Sequence, residues 1–397
     1  MFEWSEEQLM VRDAIRTFID KEIKPNLEEL EHGDTPPYAV LRKLYRTFGM
    51  DAMARDRFEK ALSGGERLTD GPRDENAVAF TLIPIIELSR YCPGMVTAMG
   101  VSVGLTGSAI MSRGTDEQKR RWALDVLTLD KIGAWAITEP GSGSDAFGGM
   151  RSTARRDGDE YVLNGSKTFI TNGPYADTIV FICKLDEGND AADRKVVSFI
   201  LDRGMPGLEQ SKPLRKMGLH SSPTGELFLD DVRVGKDRLL GGSEDAYGRS
   251  GGKETFSMER TGVAAMALGI VEQCLERSVD YAKNRVQFGK PIGEFQLIQL
   301  KLAKMEVARL NIQNLVFRQV EAAAAGRPLS LAEASAMKLY SAQTAMDVAL
   351  EAVQLFGGNG YMAEFQVEQL ARDAKVLQIY AGTDEIQISQ IARSLLA

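Results

Sequence analysis

The sequence contains few of the residues that build metal centres, disulfide frameworks and charge-relay hydrolases. Among 397 residues there are three cysteines and two histidines. Cys92, Cys183 and Cys274 lie far apart without a CxxC spacing, which argues against disulfides and zinc and predicts buried thiols. His32 and His220 form no HExxH or paired-histidine motif, which argues against a histidine-ligated metal. His220 lies in the loop KMGLHSSPTG, where it is a poor candidate for the base of a Ser-His hydrolase.

Long apolar runs and clustered positive charge are also missing. No apolar run approaches the ~18 residues needed to span a bilayer, so we expect no membrane insertion. A net charge of -8 argues against a nucleic-acid partner, because a phosphate backbone attracts clustered Lys and Arg. Ser5 and Gln8 form a capping-box pattern before an apolar helical repeat, so we expect a helix from the outset and no signal or transit peptide. The simplest expectation is a cytoplasmic enzyme.

Apolar periodicity divides the chain into three predicted domains. The composition, 44% hydrophobic and 26% charged, is typical of globular proteins, and the length suggests two or three domains. Residues 1–132 show helical spacing with a second capping box at Thr115, and within them the charged run 54–76 predicts a helix end and a solvated loop. Residues 133–242 are rich in strand formers. Residues 243–397 return to helical spacing, with a third capping box at Ser330.

The middle segment predicts an all-β domain. Within EYVLNGSKTFIT, Asn164-Gly165 is a strong hairpin signal between two β-rich runs. TIVFICKL, KVVSFILD and ELFLDDVRV follow, each rich in β-branched or aromatic residues and bounded by turn residues. In the last segment we predict helices at roughly 256–285, 293–325, 330–357, 364–376 and from 384 onward, with Thr383 as the cap of the last one. The predicted order is helices, a β domain and a helical bundle.

Two polar loops in the β segment suggest a site for a flat heterocycle. WAITEPGSGSD, from Trp135 to Asp145, is not a dinucleotide fingerprint, since the third glycine and a βαβ unit are missing. Alone it would be an ordinary loop, but the polar run FITNG begins at Phe169 in the same domain. Backbone and hydroxyl groups of two such loops can hold a ring by hydrogen bonds.

Glycine-rich runs also end two of the predicted C-terminal helices. NRVQFGKP and LFGGNGY contain glycines that usually cap helices. The closely spaced glycines of the second run, Gly357, Gly358 and Gly360, would also let a backbone approach a phosphate or a ring.

Taken together, these motifs resemble the acyl-CoA dehydrogenase family along essentially the whole chain. TEPGSGSD, NGSKTFITNG, KMGLHSSPTGELFLDDVRV, ERTGVAAMALG, NRVQFGKPI, LFGGNGYM and IYAGTDEIQ occur in the family's order. The resemblance implies an α+β fold with an N-terminal helical domain, a middle β-barrel-like domain and a C-terminal four-helix bundle. It also implies FAD between the β domain and the bundle, an acyl-CoA substrate, an electron-transfer flavoprotein as electron acceptor, and a homotetramer.

The resemblance also assigns cofactor-binding residues. Around the isoalloxazine ring it places Trp135, Ile137, Thr138, Gly143, Ser144, Phe169 and Thr171, with Ile137 and Thr138 donating to the pyrimidine edge. For the pyrophosphate and adenine, partly from a neighbouring subunit, it assigns Arg285, Gln287, Phe288, Gln354, Gly357 and Gly358. Thr383 and Glu385 match further positions near the flavin. Many relatives carry Trp at the position of Phe169, so ring stacking there is expected to be weaker.

The resemblance implies dehydrogenation across Cα and Cβ of an acyl thioester, and it raises the question of the base. Many members carry the catalytic Glu where this chain has Ala381, whose backbone N–H would still polarise the thioester oxygen together with a ribityl hydroxyl. In isovaleryl-CoA and long-chain acyl-CoA dehydrogenases the base lies on another helix beside an Arg, which matches Glu259 and Arg260 here. Asp384 and Glu385 are also acidic, although the dipole of the last helix explains them.

Substrate contacts and two other functions remain open at this point. Ser144, Arg260 and Gly382 match positions near the thioester and the pantetheine arm, although Arg260 could equally be an ion-pair partner. A flavin oxidase or monooxygenase of the same fold needs no base at Ala381. A flavin-binding subunit without catalysis would also tolerate the alanine. Neither the acyl group nor the choice between CoA and carrier-protein thioesters follows from the sequence.

Overall fold

A computed structural model describes residues 3–63, 75–245, 249–327 and 329–396. Most of the predicted solvated loop, residues 64–74, lies outside this description. The first part of the chain forms helices α1 (Glu6–Phe18), α2 (Leu27–His32), α3 (Tyr38–Thr47), α4 (Met50–Leu62), α5 (Glu75–Ser89), α6 (Pro93–Met99), α7 (Ser108–Arg113), α8 (Asp116–Gln118) and α9 (Leu124–Leu127). The predicted capping boxes at Ser5 and Thr115 are confirmed, since each side chain accepts from the N–H three residues later.

One helix of this part corrects an expectation from the sequence. A π-helical segment, Gly100–Gly107, joins α6 to α7, so that 93–113 form one continuous helix of 21 residues, within which a window of 18 residues has a mean hydropathy of 1.4. The prediction that no apolar run approaches membrane-spanning length is therefore wrong. This helix lies inside the protein, with 67% of its apolar window buried, as core helices of soluble proteins do.

The middle of the chain forms one seven-stranded sheet. Its strands are β1 (Gly133–Ala136), β2 (Thr153–Asp157), β3 (Glu160–Thr171), β4 (Thr178–Leu185), β5 (Val196–Asp202), β6 (Leu208–Gln210) and β7 (Thr224–Gly235). They pair in the order β1-β4-β2-β3-β7-β6, with β5 on the other edge of β4. The three strands predicted from TIVFICKL, KVVSFILD and ELFLDDVRV are confirmed as β4, β5 and β7. Aliphatic and aromatic side chains of these strands form a core of their own.

The hairpin predicted at Asn164-Gly165 is wrong. Strand β3 runs straight through both residues, and the turn lies earlier, where Asp157 pairs with Glu160 around Gly158 at φ +64°. Near Gly165 the pairing with β7 shifts register, which marks a β-bulge. A Cβ at Gly165 would collide with Ser152, so this glycine permits a close approach inside the sheet.

The last part of the chain is helical, as predicted. Its helices are α10 (Arg249–Asn284), α11 (Gln296–Ala324), α12 (Leu331–Phe356), α13 (Val367–Val376) and α14 (Asp384–Leu396). A short hairpin of strands β8 (Val286–Gln287) and β9 (Lys290–Pro291) lies between α10 and α11. The predicted capping box at Ser330 and the cap at Thr383 are confirmed. Apolar side chains of α1, α5, α10 and α11 belong to one core, so the two helical parts are packed as one body. The domain limits 1–132, 133–242 and 243–397 remain predictions.

Candidate functional site

The two polar loops predicted to hold a ring lie side by side at one end of the sheet. Lys167 on β3 donates from Nζ to the carbonyl oxygen of Ile137 at 3.0 Å. One residue later, the N–H of Thr168 donates to the carbonyl oxygen of Thr138 at 2.9 Å. The segment after β1 is therefore fixed against β3 directly before Phe169.

A buried ion pair underlies this junction. Lys167 and Glu139 are both buried, and their Nζ and Oε1 atoms are 2.8 Å apart. The Glu139 carboxylate also accepts from the N–H groups of Arg151 at 2.7 Å and Ser152 at 3.0 Å. Burial alone would raise the pKa of Glu139, but the hydrogen bonds from Lys167, Ser152 and Arg151 lower it. Glu139 is thus an ionised anchor that shapes the TEPGSGSD loop.

The surface above this junction fits a flat ring system such as a flavin. Phe169 is held at φ +56° and is 68% exposed, an unusual placement for a phenylalanine. In the facing loop, a Cβ at Gly141 or Gly143 would meet no described atom within 4 Å. Among the other predicted ring contacts, Gly143 and Ser144 are exposed, and Trp135, Ile137, Thr138 and Thr171 are half-buried. A bound isoalloxazine would cover this exposed apolar and glycine surface.

The turn that contains Ala381 is strained and held by two buried donors. Ala381 and Gly382 have φ values of +53° and +87°, of which the first is unfavourable for a residue with a Cβ. Gln387 on α14 donates to the carbonyl oxygens of Ala381 at 2.9 Å and Gly382 at 2.8 Å. Lys338 on α12 donates to the Gly382 carbonyl oxygen at 2.9 Å. These contacts fix the backbone of the turn.

Glu259 lies half-buried on α10 near this turn, beside Arg260. Burial raises the pKa of Glu259 to about 7, although the positive charges of Arg260 and Lys338 oppose the rise. Arg260 is buried and donates from Nη1 to Ser335 Oγ at 2.9 Å, while its Nε has no hydrogen-bond partner among the described residues. A carboxyl that titrates near neutrality is suited to general-base work.

The two acidic residues of α14 have different surroundings. Asp384 lies 3.4 Å from Lys338 Nζ and accepts from Gln343 Nε2 at 3.2 Å. Glu385 is exposed at the start of the helix. Asp384 therefore takes part in the polar contacts that support the turn, and Glu385 is placed as the helix dipole favours.

A helix of the N-terminal part connects the turn with the two polar loops. Asn172, at the end of β3, donates from Nδ2 to the carbonyl oxygens of Ala98 and Gly133, both at 2.9 Å. Ala98 follows Thr97, whose side chain lies near the Tyr380 hydroxyl. Tyr380 directly precedes Ala381. The structure thus brings the sheet end, the helix 93–113 and the turn into one region.

The residues predicted to bind pyrophosphate and adenine lie at the far end of the bundle. Tyr281 Oη donates to the Phe356 carbonyl oxygen at 3.3 Å, which joins the end of α10 to the end of α12. Two sets of exposed residues lie near this contact. The hairpin contributes Arg285, Gln287 and Phe288, and the end of α12 with the glycines that follow it contributes Gln354, Gly357 and Gly358. From Glu259 to Arg285 helix α10 extends about 39 Å. A single chain therefore does not bring these residues to Glu259.

Three residues at the site were not predicted from the sequence. They are Lys338, Tyr380 and Gln387, of which the first and last contact the backbone of the Ala381 turn. A signal existed for Lys338, because it follows Ala334 by four residues on the buried face of α12. For Gln387, which is fully buried on α14, no periodic signal was present.

Comparison with known proteins identifies the family. Models of the N-terminal, middle and C-terminal domains of acyl-CoA dehydrogenases match residues 5–130, 134–232 and 248–396. An acyl-CoA dehydrogenase of Bacillus subtilis is 37% identical, with 99% of this chain and 98% of that protein covered. The structure of butyryl-CoA dehydrogenase from Megasphaera elsdenii has a TM-score of 0.87 and 34% identity, with both chains fully covered. A glutaryl-CoA dehydrogenase from Mycobacterium smegmatis in complex with FADH2 has a TM-score of 0.83 and 27% identity, over 99% of this chain and 95% of that one. The resemblance and the fold predicted from the motifs are confirmed, and the chain belongs to the acyl-CoA dehydrogenase family.

Proposed function

We propose that this protein is an FAD-dependent acyl-CoA dehydrogenase that converts an acyl-CoA thioester to the trans-2-enoyl-CoA, with Glu259 as its base. The observation that carries the choice of base is the position of Glu259. It is a half-buried carboxyl near the turn at Ala381, a position that carries an alanine and not an acidic residue, and its pKa lies near 7. The electrons pass to an electron-transfer flavoprotein.

The cofactor site is supported by the shape of the sheet end. Phe169 and the open backbone at Gly141 and Gly143 present a surface that a flavin ring would cover. When bound, FAD supplies the acceptor for the hydride that leaves Cβ. Ile137 and Thr138 would border the ring at the loop that Lys167 fixes.

Proton removal depends on two groups of this chain, one acting at the thioester oxygen and the other at Cα. The α-proton of a thioester is too weakly acidic for an unaided carboxylate, so the carbonyl oxygen needs a hydrogen-bond donor. The N–H of Ala381 is our candidate donor, because two side-chain donors fix the carbonyl oxygens of its turn. The Glu259 carboxylate then takes the α-proton. Ser144, Arg260 and Gly382 remain candidates for contacts with the thioester and its arm.

Assembly into a homotetramer is supported by exposed apolar surface on the bundle. Leu297, Leu300, Val307 and Leu310 are exposed along one helix, α11. Phe288 at the tip of the hairpin is 94% exposed. Contiguous exposed apolar surface marks interaction sites, and a second copy of the chain would cover it. The subunit contact would also supply the hairpin to a neighbouring flavin. We propose a cytoplasmic location, in keeping with the bacterial relatives.

The test is anaerobic titration of the FAD-loaded protein with a panel of straight and branched acyl-CoAs and the matching carrier-protein thioesters. Loss of flavin absorbance identifies the substrate. Glu259→Gln should retain FAD but lose bleaching by the best substrate, with at least about a hundred-fold slower reduction. Glu117→Gln, which changes an exposed carboxylate on α8, is the matched control. Unchanged bleaching in Glu259→Gln would remove Glu259 from the mechanism, and a hydroxylated product formed in air would favour a monooxygenase.

A further inference from the structure

A fully buried lysine lies next to the proposed catalytic groups. Lys338 has 0% of its side chain exposed, and its ammonium group has two described partners, the Gly382 carbonyl oxygen at 2.9 Å and Asp384 Oδ1 at 3.4 Å. Burying an ammonium group costs several kcal/mol unless partners offset the lost hydration. A methionine would fill the same space in a helix interface without that cost. The lysine is therefore better explained by what its charge and its donors contact.

One contact is with a backbone turn that would not keep its shape unaided. Ala381 occupies the left-handed region at φ +53°, which persists only where surrounding contacts over-determine it. The Gly382 carbonyl oxygen receives hydrogen bonds from both Lys338 and Gln387, and the Ala381 carbonyl oxygen receives one from Gln387. Lys338 is the donor that reaches this turn from a different helix. It therefore ties the turn to α12.

The other contact is electrostatic and involves Glu259. Among the residues whose side chains the structure describes, the charged and titratable groups that face Glu259 are Arg260 on its own helix, Lys338 on α12 and Tyr380 before α14. Burial lowers the pKa of Lys338 and the charge of Arg260 adds to this, while Asp384 and Glu259 favour its ammonium form. The ammonium form in turn favours the carboxylate form of Glu259.

We propose that Lys338 is a positioning residue for the dehydrogenation: it holds the turn that presents the Ala381 N–H, and it presents a positive charge to the Glu259 carboxylate. The electrostatic half of this proposal rests on the proposed function of Glu259 as base. The half that concerns the turn rests on hydrogen bonds alone and can be measured in the absence of turnover.

The experiment compares Lys338→Met with Lys338→Arg in the FAD-loaded protein. In Lys338→Met we expect kcat/KM to fall about tenfold below pH 7 and to approach that of the unchanged protein near pH 9, because the acid limb moves up by about one pH unit. The affinity for enoyl-CoA, measured by flavin absorbance at about pH 9, should weaken about fivefold through loss of one hydrogen bond to the turn. Lys338→Arg, which keeps the charge and the donors, should restore both. Lys236→Met, on an exposed loop, is the control for loss of a lysine.

Different outcomes separate failure of this proposal from failure of the proposed function. If Lys338→Met keeps both the pH profile and the enoyl-CoA affinity of the unchanged protein, the role of Lys338 is refuted. If Glu259→Gln still bleaches, the base is wrong while the affinity measurement continues to test the turn. If Lys338→Met loses FAD or its helical circular dichroism, Asp384→Asn takes its place. That variant removes the carboxylate that neutralises the ammonium group, so the positive charge acts more strongly on Glu259 and the acid limb should move to lower pH, opposite to Lys338→Met. An unmoved limb would overturn the electrostatic role.

Discussion

The carboxyl of Glu259 gives the proposed reaction a defined pH dependence. Burial raises its pKa from 4.5 to about 7, and only the deprotonated form can accept the α-proton. We therefore expect kcat/KM to rise about tenfold per pH unit below pH 7 and to level off above it. Glu259→Asp, with a shorter side chain, should keep a rising limb at a lower plateau.

Rapid-mixing measurement of flavin reduction between about pH 5.5 and about pH 9, at constant ionic strength, checks this dependence. The substrate is an acyl-CoA whose acyl group does not titrate in this range, and the phosphates of CoA are common to every variant compared. A profile that is flat through pH 7 would contradict Glu259 as the titrating base. A limb that persists unchanged in Glu259→Gln would assign the titration to another group.

The junction between β3 and the TEPGSGSD loop depends on the buried pair of Lys167 and Glu139. Lys167→Met leaves Glu139 as a buried carboxylate without its cation, so we expect the free energy of unfolding to fall by about 3–5 kcal/mol. The double variant Lys167→Met/Glu139→Gln removes both charges and should lose less than the single variant. Denaturant unfolding of the FAD-free protein measures both values. Lys236→Met, which breaks an exposed pair with Asp159, should cost about 0–1 kcal/mol. A double variant that is as unstable as the single one would show that the charge is not the cause.

Sequence motifs correctly predicted those features of the helices and strands that depend on contacts between residues close in sequence. The capping boxes at Ser5, Thr115 and Ser330 were predicted because their hydrogen bonds close within three residues. The Asn164-Gly165 hairpin failed because pairing with β7, which is distant in sequence, keeps β3 extended through it. The observed turn contains the pair Asp157-Gly158, which is a hairpin signal of the same class as Asn164-Gly165. Composition alone therefore could not show which of the two pairs forms the turn.

The candidate site was predictable to a similar extent. The two polar loops proposed to hold the ring were recognised by motif, and the structure brings them together at the end of the sheet. The contacts of Lys338 and Gln387 with the turn were not predicted. Lys338 is 44 residues from Gly382 in sequence, and Gln387 reaches from the first turns of α14 back to Ala381, which precedes that helix. Side chains that hold a backbone in place carry no sequence motif of their own.

At the scale of the whole molecule, a buried polar cluster joins the three parts of the chain. Cys92, which follows α5, lies 3.4 Å from Glu31 Oε1 and 3.0 Å from Ser221 Oγ. The N–H of Leu219, in the loop before β7, donates to Asp373 Oδ1 of α13 at 2.5 Å. His220 Nδ1 lies 2.7 Å from the carbonyl oxygen of Glu31, so this histidine helps to hold two segments of the backbone together. The histidine that sequence alone could offer as a hydrolase base is thus part of the junction between domains.

This cluster should make the stability of the whole chain depend on pH. Burial and the proximity of Asp373 raise the pKa of Glu31, and burial raises that of Asp373, so the folded protein retains protons that the unfolded chain releases near pH 4.5. A raised pKa in the folded state contributes stability below pH 4.5, and that contribution is lost as pH rises through the folded value. The decline is at most about 1.4 kcal/mol per pH unit for each proton.

Glu31→Gln removes one of these protons without changing side-chain shape. We expect the variant to lose less stability than the unchanged protein between about pH 5 and about pH 9, so that the difference in unfolding free energy moves in favour of the variant as pH rises. Its Nε2 would take the place of Oε2, which has no hydrogen-bond partner among the described residues. Denaturant unfolding at a series of pH values measures the slope. Glu28→Gln, exposed on the same helix, is the control and should leave the slope unchanged. If the unfolding free energies of Glu31→Gln and the unchanged protein run parallel with pH, Glu31 does not retain its proton on folding. The pH dependence would then have to arise elsewhere in the cluster, and Asp373→Asn would test this.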